Sequence, residues 1–201
     1  MKNDRIVFSV RWFDVVARMV DVSASPHYVI RTCDYVTVLA VTADGSFLLV
    51  RQYRPAIGAE TLELPSGHVE DGELPEAAAR RELAEETGYE AVKFELLGAL
   101  APDPGRQENK LWCYYAGGAT QIRSPVLREE GLELVRCKER DLIRHIGKGK
   151  IDSAPNLAAL LLATVNGRLT VSQSAERKRR TSGPGKTATE RARTRVSGMG
   201  R

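Results

Sequence analysis

Between Gly67 and Tyr89 lies the most constrained stretch of the chain: Gly-His-Val-Glu-Asp-Gly-Glu-Leu-Pro-Glu-Ala-Ala-Ala-Arg-Arg-Glu-Leu-Ala-Glu-Glu-Thr-Gly-Tyr. From Leu74 onward the residues are strong helix formers. Pro75 is tolerated only in a first turn, and Glu73 and Glu76 suit the positive end of a helix dipole. Gly88 falls where a left-handed cap would stop the helix. On such a helix Glu82, Glu85 and Glu86 stand at i, i+3 and i+4, so three carboxylates share one face. Arg80 and Arg81 read as pointing elsewhere around the wheel. A solvated charged face is the plain reading of a Glu-rich helix. Three like charges without interleaved cations argue instead for a bound ion, and all-oxygen ligands favour a hard one, Mg²⁺ or Mn²⁺.

The flanks decide between these readings. Gly67, five residues, Glu73, seven residues, Arg81-Glu82-Leu83, one residue, Glu85-Glu86, one residue and Gly88-Tyr89 resembles a complete Nudix box, with every specified position filled. The resemblance implies an α/β fold, a Nudix α/β/α sandwich with a mixed central sheet and a small N-terminal β extension. It also implies that the box holds divalent metal for attack of water on phosphorus. Glu82, Glu85 and Glu86 would bind the metal with the backbone carbonyl of Ser66, and Glu85 is carried as a catalytic residue too. Glu73 and Arg81 would hold the loop against the helix.

Upstream, Arg51-Gln52-Tyr53-Arg54 followed by Leu62-Glu63-Leu64-Pro65-Ser66-Gly67 resembles the ADP-ribose pyrophosphatase branch, with Ser66 where Ala is usual. Members of that branch tend to carry a proline fifteen residues beyond the box, which is Pro104 counted from Tyr89. In the branch, the residue matching Glu63 lies beside the metal and phosphate site. Arg51 and Arg54 read as phosphate clamps, or Arg54 alone with Arg51 in solvent. The branch uses a late acidic residue to activate water, and Asp103 and Glu108 are the carboxylates of the loop 102–109. Glu108 is the better match, against a plain role as a solvated loop residue. Trp12 either stacks on adenine, as an N-terminal aromatic does in some relatives of the branch, or packs in the core or a homodimer interface.

The implied activity is hydrolysis of the diphosphate bond of a nucleoside diphosphate derivative, ADP-ribose to AMP and ribose 5-phosphate. GDP-mannose or UDP-glucose is the alternative substrate, and a nucleotide-sensing regulatory module the alternative class. Such modules commonly lose box glutamates, and this chain keeps all three.

The chain divides into 1–35, an N-terminal β extension that is a candidate dimerisation element, 36–170, the hydrolase domain, and 171–201, a basic tail expected to be disordered. Residues 175–201 carry nine Lys or Arg against two Glu, a surplus of seven, so the overall charge of +4 leaves the preceding residues at −3. The tail could contact nucleic acid weakly and without specificity. No apolar run reaches the length of a membrane span, and the N-terminus lacks a signal-like apolar core, which points to the cytoplasm. Cys33, Cys113 and Cys137 have no metal-ligand spacing and read as reduced thiols. Strands are expected over 6–20 (one strand), 28–31, 36–42, 47–50, 92–101, 110–116 and 133–137. Helices are expected from Leu74, over 139–145 and from a Ser153 cap, with a turn at 21–26.

Overall fold

The computed structural model describes residues 3–20, 25–123 and 131–170. The expected turn therefore falls partly outside the described residues, at 21–24, and the tail expected to be disordered, 171–201, lies wholly outside them. The described residues belong to one compact unit that ends at Thr170.

This unit opens with a three-stranded antiparallel sheet, β1 (Asn3–Ser9), β2 (Asp14–Met19) and β3 (His27–Arg31), in the order β1-β2-β3. The single strand expected over 6–20 is thus two strands, folded back by a turn in which Val10 N donates to Phe13 O at 3.1 Å. That turn, Val10-Arg11-Trp12-Phe13, holds no Gly, Pro, Asn or Asp, so the usual turn chemistry is missing from the sequence.

The larger sheet has eight strands: β4 (Tyr35–Thr42), β5 (Ser46–Arg54), β6 (Ala59–Glu63), β7 (Ser66–His68), β8 (Tyr89–Glu90), β9 (Lys93–Leu100), β10 (Leu111–Gln121) and β11 (Glu133–Lys138). β10 runs parallel to β4 and the other pairings are antiparallel, so the sheet is mixed. Asp44-Gly45 turns the β4–β5 hairpin, with Gly45 at φ 74°. β10 does not stop at Gly117-Gly118 as expected. The register shifts between Gly117 and Ala119, and Gly118 at φ 68° absorbs the irregularity as a bulge.

Alternation along β4 explains the layers. Val36, Val38 and Ala40 pack with Ala78, Ala79 and Leu83 of α1 (Pro75–Thr87). Leu39, between them, faces the opposite side and packs with Leu142 of α2 (Glu139–Gly147) and Leu160 and Ala163 of α3 (Ala154–Val165). With both faces covered, β4 reads as a continuous apolar run, and the result is an α/β/α sandwich. Each fully buried Leu or Val contributes about 1.5–3 kcal/mol by burial. Ser153 sits at the N-cap of α3 as expected, but its side chain makes no capping bond. No helix among the described residues is long and apolar enough to cross a membrane.

Candidate active site

A cleft of about 630 Å³ opens at one end of the large sheet, and its lining includes Arg54, Glu63, Ser66, Gly67, Glu82 and Glu86. Its floor is built by the lead into α1. β7 pairs with β4, Tyr35 opposite His68 and Thr37 opposite Ser66, which carries the chain under the helix. Ser66 N donates to Glu86 Oε2 at 2.9 Å. A Cβ on Gly67 would lie 2.0 Å from Glu82 Cδ, so the Glu82 carboxylate occupies space that only glycine leaves. Glu82 and Glu86 are 8% and 5% exposed, deep for two carboxylates.

Arg81 ties the loop to the helix. Its Nε and Nη2 bond Glu73 at 3.1 and 2.9 Å, Nη2 also reaches His68 O at 2.8 Å, and Nη1 bonds Glu82 Oε1 at 2.7 Å and Glu85 Oε2 at 3.2 Å. The Arg81 bonds hold the Glu73 carboxyl below its ordinary value. The helical wheel suggested that Arg81 points away from the acids. The side chain instead folds back over Glu82 and Glu85, because its reach to Glu73 and His68 O lies on that side. Gly88, at φ 72°, caps α1 with its N–H on Ala84 O, as the sequence suggested.

Facing α1 across the cleft, Glu63 is 7% exposed and takes a bidentate bond from Arg54, Nε to Oε1 at 2.9 Å and Nη2 to Oε2 at 2.7 Å. Burial pushes the Glu63 carboxyl up, but Arg54 and the Thr61 hydroxyl outweigh it and the net shift is downward. Arg51 is not part of the cleft lining. It pairs with Glu133 on β11 at 2.7 Å, both side chains being well exposed.

The remaining wall is the loop 102–109, from which Pro102, Asp103 and Gln107 line the cleft. Glu108 does not. Its Oε2 accepts from Arg18 and its Oε1 from Arg31, each at 2.5 Å, and these bonds hold its carboxyl below the ordinary value. Asp4 bonds the same two arginines, so the loop is pinned to the N-terminal sheet, with Ile30 N on Arg106 O at 2.7 Å beside the ion pairs. Trp12, 60% exposed, stacks on His68 with ring centroids 5.8 Å apart, and His68 lines the cleft.

Sequence reasoning missed Arg18, Arg31 and Asp4, whose joint role depends on a sheet that brings residues 4, 18, 31 and 108 together. It also missed Asn156, which lies just inside the helix expected from the Ser153 cap and lines the cleft. Its identity in a first turn was visible, but nothing in the sequence pointed it at the cleft.

The match to known proteins agrees with this geometry. The model of the NUDIX domain matches residues 32–157, and the chain belongs to the Nudix family of hydrolases. The ADP-ribose pyrophosphatase of Bacillus subtilis (strain 168) is 37% identical to it over 159 residues, which span 77% of this chain and 86% of that protein. The methanol dehydrogenase activator of Bacillus methanolicus is 29% identical over 138 residues, 68% of this chain and 75% of that one. A crystal structure of an ADP compounds hydrolase superposes with a TM-score of 0.68 over 83% of this chain and 95% of its own, at 22% identity, a likeness of fold.

Nudix hydrolases work with divalent cations. Glu82 and Glu86 fit such an ion in kind: they are buried, offer only hard oxygen donors and face the cleft. Among the described residues no three acids, histidines or cysteines are gathered as one ligand set. Glu85 is not among the residues lining the cleft, and its side chain is 47% exposed beside Arg81.

Proposed function

We propose that this hydrolase cleaves the diphosphate bond of ADP-ribose to AMP and ribose 5-phosphate, using Mg²⁺. The observation that carries the reading is the pair of buried carboxylates, Glu82 and Glu86, turned to a cleft whose other wall holds an arginine fixed by Glu63. Two carboxylates four residues apart on one helix face, both turned to the cleft, offer the hard oxygen donors a divalent cation takes. The likeness to a protein named ADP-ribose pyrophosphatase supports the substrate.

Glu82, Glu85 and Glu86, with the carbonyl of Ser66, would hold the ion, Glu85 joining once it leaves Arg81. The bound cation would supply charge neutralisation of the diphosphate and a lowered pKa for the attacking water. Arg54, kept in one orientation by its two bonds to Glu63, presents a fixed positive charge to a phosphate oxygen. Arg51 adds long-range attraction only, since Glu133 occupies it. Glu85 and Glu108 are the candidates to accept the proton of water. Glu108 does so only after parting from Arg18 and Arg31. Trp12 would stack on adenine at the His68 end of the cleft.

We further propose a cytoplasmic homodimer joined through the N-terminal sheet, where Ile6, Phe8 and Trp12 are each more than half exposed. A regulatory reading has one support, the likeness to the Bacillus methanolicus protein named as a methanol dehydrogenase activator. Phosphate release from a nucleotide-sugar panel, coupled to a phosphatase, tests the proposal. Fastest turnover on ADP-ribose is expected, and faster turnover on GDP-mannose or UDP-glucose would overturn the substrate assignment. No turnover on any of them would favour the regulatory reading.

A further inference from the structure

The N-terminus of α3 opens on the cleft, which Ser153, Pro155 and Asn156 all line. Asn156 is 3% exposed, and its Oδ1 accepts a 2.7 Å hydrogen bond from Leu64 N. That bond fixes which end of the amide is which. A backbone N–H can only donate, so the oxygen must face Leu64 and the NH₂ group must face away from it. No described residue accepts a hydrogen bond from Nδ2. Among the described residues the buried side-chain atoms left without a partner belong to Asn109 and Arg168, so Asn156 Nδ2 is not sealed in the core but reaches the cleft, where water or an acceptor that arrives with the ligand can meet it. The positive end of the α3 dipole adds to the preference for an electron-rich oxygen there.

Chain continuity fixes where along the cleft this donor lies. Leu64 and His68 are four residues apart, at most about 13 Å. Between them Ser66 N bonds Glu86 and Gly67 lies against Glu82. The acids therefore sit between His68, with Trp12 stacked on it, and Asn156, bonded to Leu64. The geometry points to Asn156 as a specificity-determining residue whose Nδ2 donates to an oxygen of the sugar joined to the nucleoside diphosphate, at the opposite end of the cleft from Trp12. This rests on the reading of the site as one for a nucleoside diphosphate joined to a sugar, with its base at the Trp12 end.

The test compares two ligands that differ only in the sugar. With Mg²⁺ present, KM for ADP-ribose and Ki for ADP as a competitive inhibitor are measured in the wild type, Asn156→Ala and Asn156→Thr. Thr lacks the NH₂ but keeps an uncharged oxygen for Leu64 N–H, which guards against misfolding of the Ala variant. The expected result in either folded variant is a fivefold to tenfold rise in KM for ADP-ribose with Ki for ADP changed less than twofold. Damage to the Leu64 segment alone would move both constants together, and that outcome, or no change in either, overturns the assignment. If the wild type fails to hydrolyse ADP-ribose, the substrate proposal falls separately. The same comparison then uses the sugar nucleotide it does hydrolyse against the corresponding bare nucleoside diphosphate.

Discussion

The two walls of the cleft are held by different means. On the helix wall, α1 and β7 are fixed from inside the fold: Ala78, Ala79 and Leu83 anchor the helix in the core, and the Glu82 carboxylate fills the space a Gly67 side chain would take. On the loop wall, residues 102–109 are fixed from outside, by Asp4, Arg18, Arg31 and Glu108 and by backbone bonds to β3. Core packing survives salt and mild acid, whereas partly exposed ion pairs respond to both. The difference predicts that the helix wall keeps its charges in place while the loop wall responds to salt and acid.

The sharpest break of this contrast is on the helix wall. Glu82→Gln and Glu86→Gln should each lower kcat by at least roughly a hundredfold, since one lost ligand disrupts charge stabilisation. Melting temperature should change little, because Gln keeps the shape of the side chain and an accepting oxygen. Wild-type turnover with Mg²⁺ in either variant would remove that residue from the metal set.

A second break compares two arginines of one strand. Arg54 is bound to buried Glu63, whereas Arg51 meets solvent-exposed Glu133. Arg54→Ala should cut kcat/KM at least tenfold and also lower stability, because Glu63 is left buried without its partner. Arg51→Ala should stay within about twofold, as befits an exposed pair. Equal losses in the two variants would mean that Arg51 reaches the phosphates after all.

The contrast between walls also marks what the sequence could reveal. The helix wall is local: the box spans Gly67 to Tyr89, its helix, cap, three acids and the Glu73–Arg81 tie lie within one turn-helix unit, and spacing along the chain carries that information. Even there the wheel misplaced the Arg81 side chain, because a long side chain follows its partners rather than its Cβ direction. The loop wall is assembled from residues 4, 18, 31 and 108, and no period or spacing joins them. The split of 6–20 into two strands went unseen for a different, local reason: its turn lacks turn-forming residues. Whether Arg51 joins Arg54 or lies in solvent stayed open in the sequence, because strand pairing, which gives each its acid, is non-local.

The loop wall supplies the third break. Glu108→Gln and the double change Arg18→Ala with Arg31→Ala should each lower kcat/KM about tenfold if Glu108 acts by pinning the loop. A fall of a hundredfold or more confined to Glu108→Gln would show that it accepts the proton itself. The pH dependence has a definite sign. The folded Glu108 carboxyl lies below its ordinary 4.5, so its contribution is complete above that value and is lost as pH falls through the lower folded one. Hydrogen-exchange protection of residues 105–108 should therefore drop at acid pH and in high salt. Protection that is flat across both would put the loop under control of the Ile30 backbone bonds.

The smallest effect belongs to Trp12, which joins the two walls because it rides on the N-terminal sheet yet stacks on His68 of β7. Its ring is more than half exposed, so removing it opens no core cavity and should leave the melting temperature within a degree or two. Base stacking on an aromatic is worth about 1–3 kcal/mol in single-stranded nucleic-acid complexes. An exposed ring sits at the low end, which corresponds to about a fivefold loss of affinity. Base binding is shared by ground and transition states, so Trp12→Ala should raise KM by about that factor and leave kcat unchanged. Trp12→Phe should recover part of the loss, because a smaller ring still stacks. An unchanged KM in the Ala variant would confine Trp12 to packing on His68. A fall in kcat instead would mean that the N-terminal sheet acts on the chemistry through the loop wall.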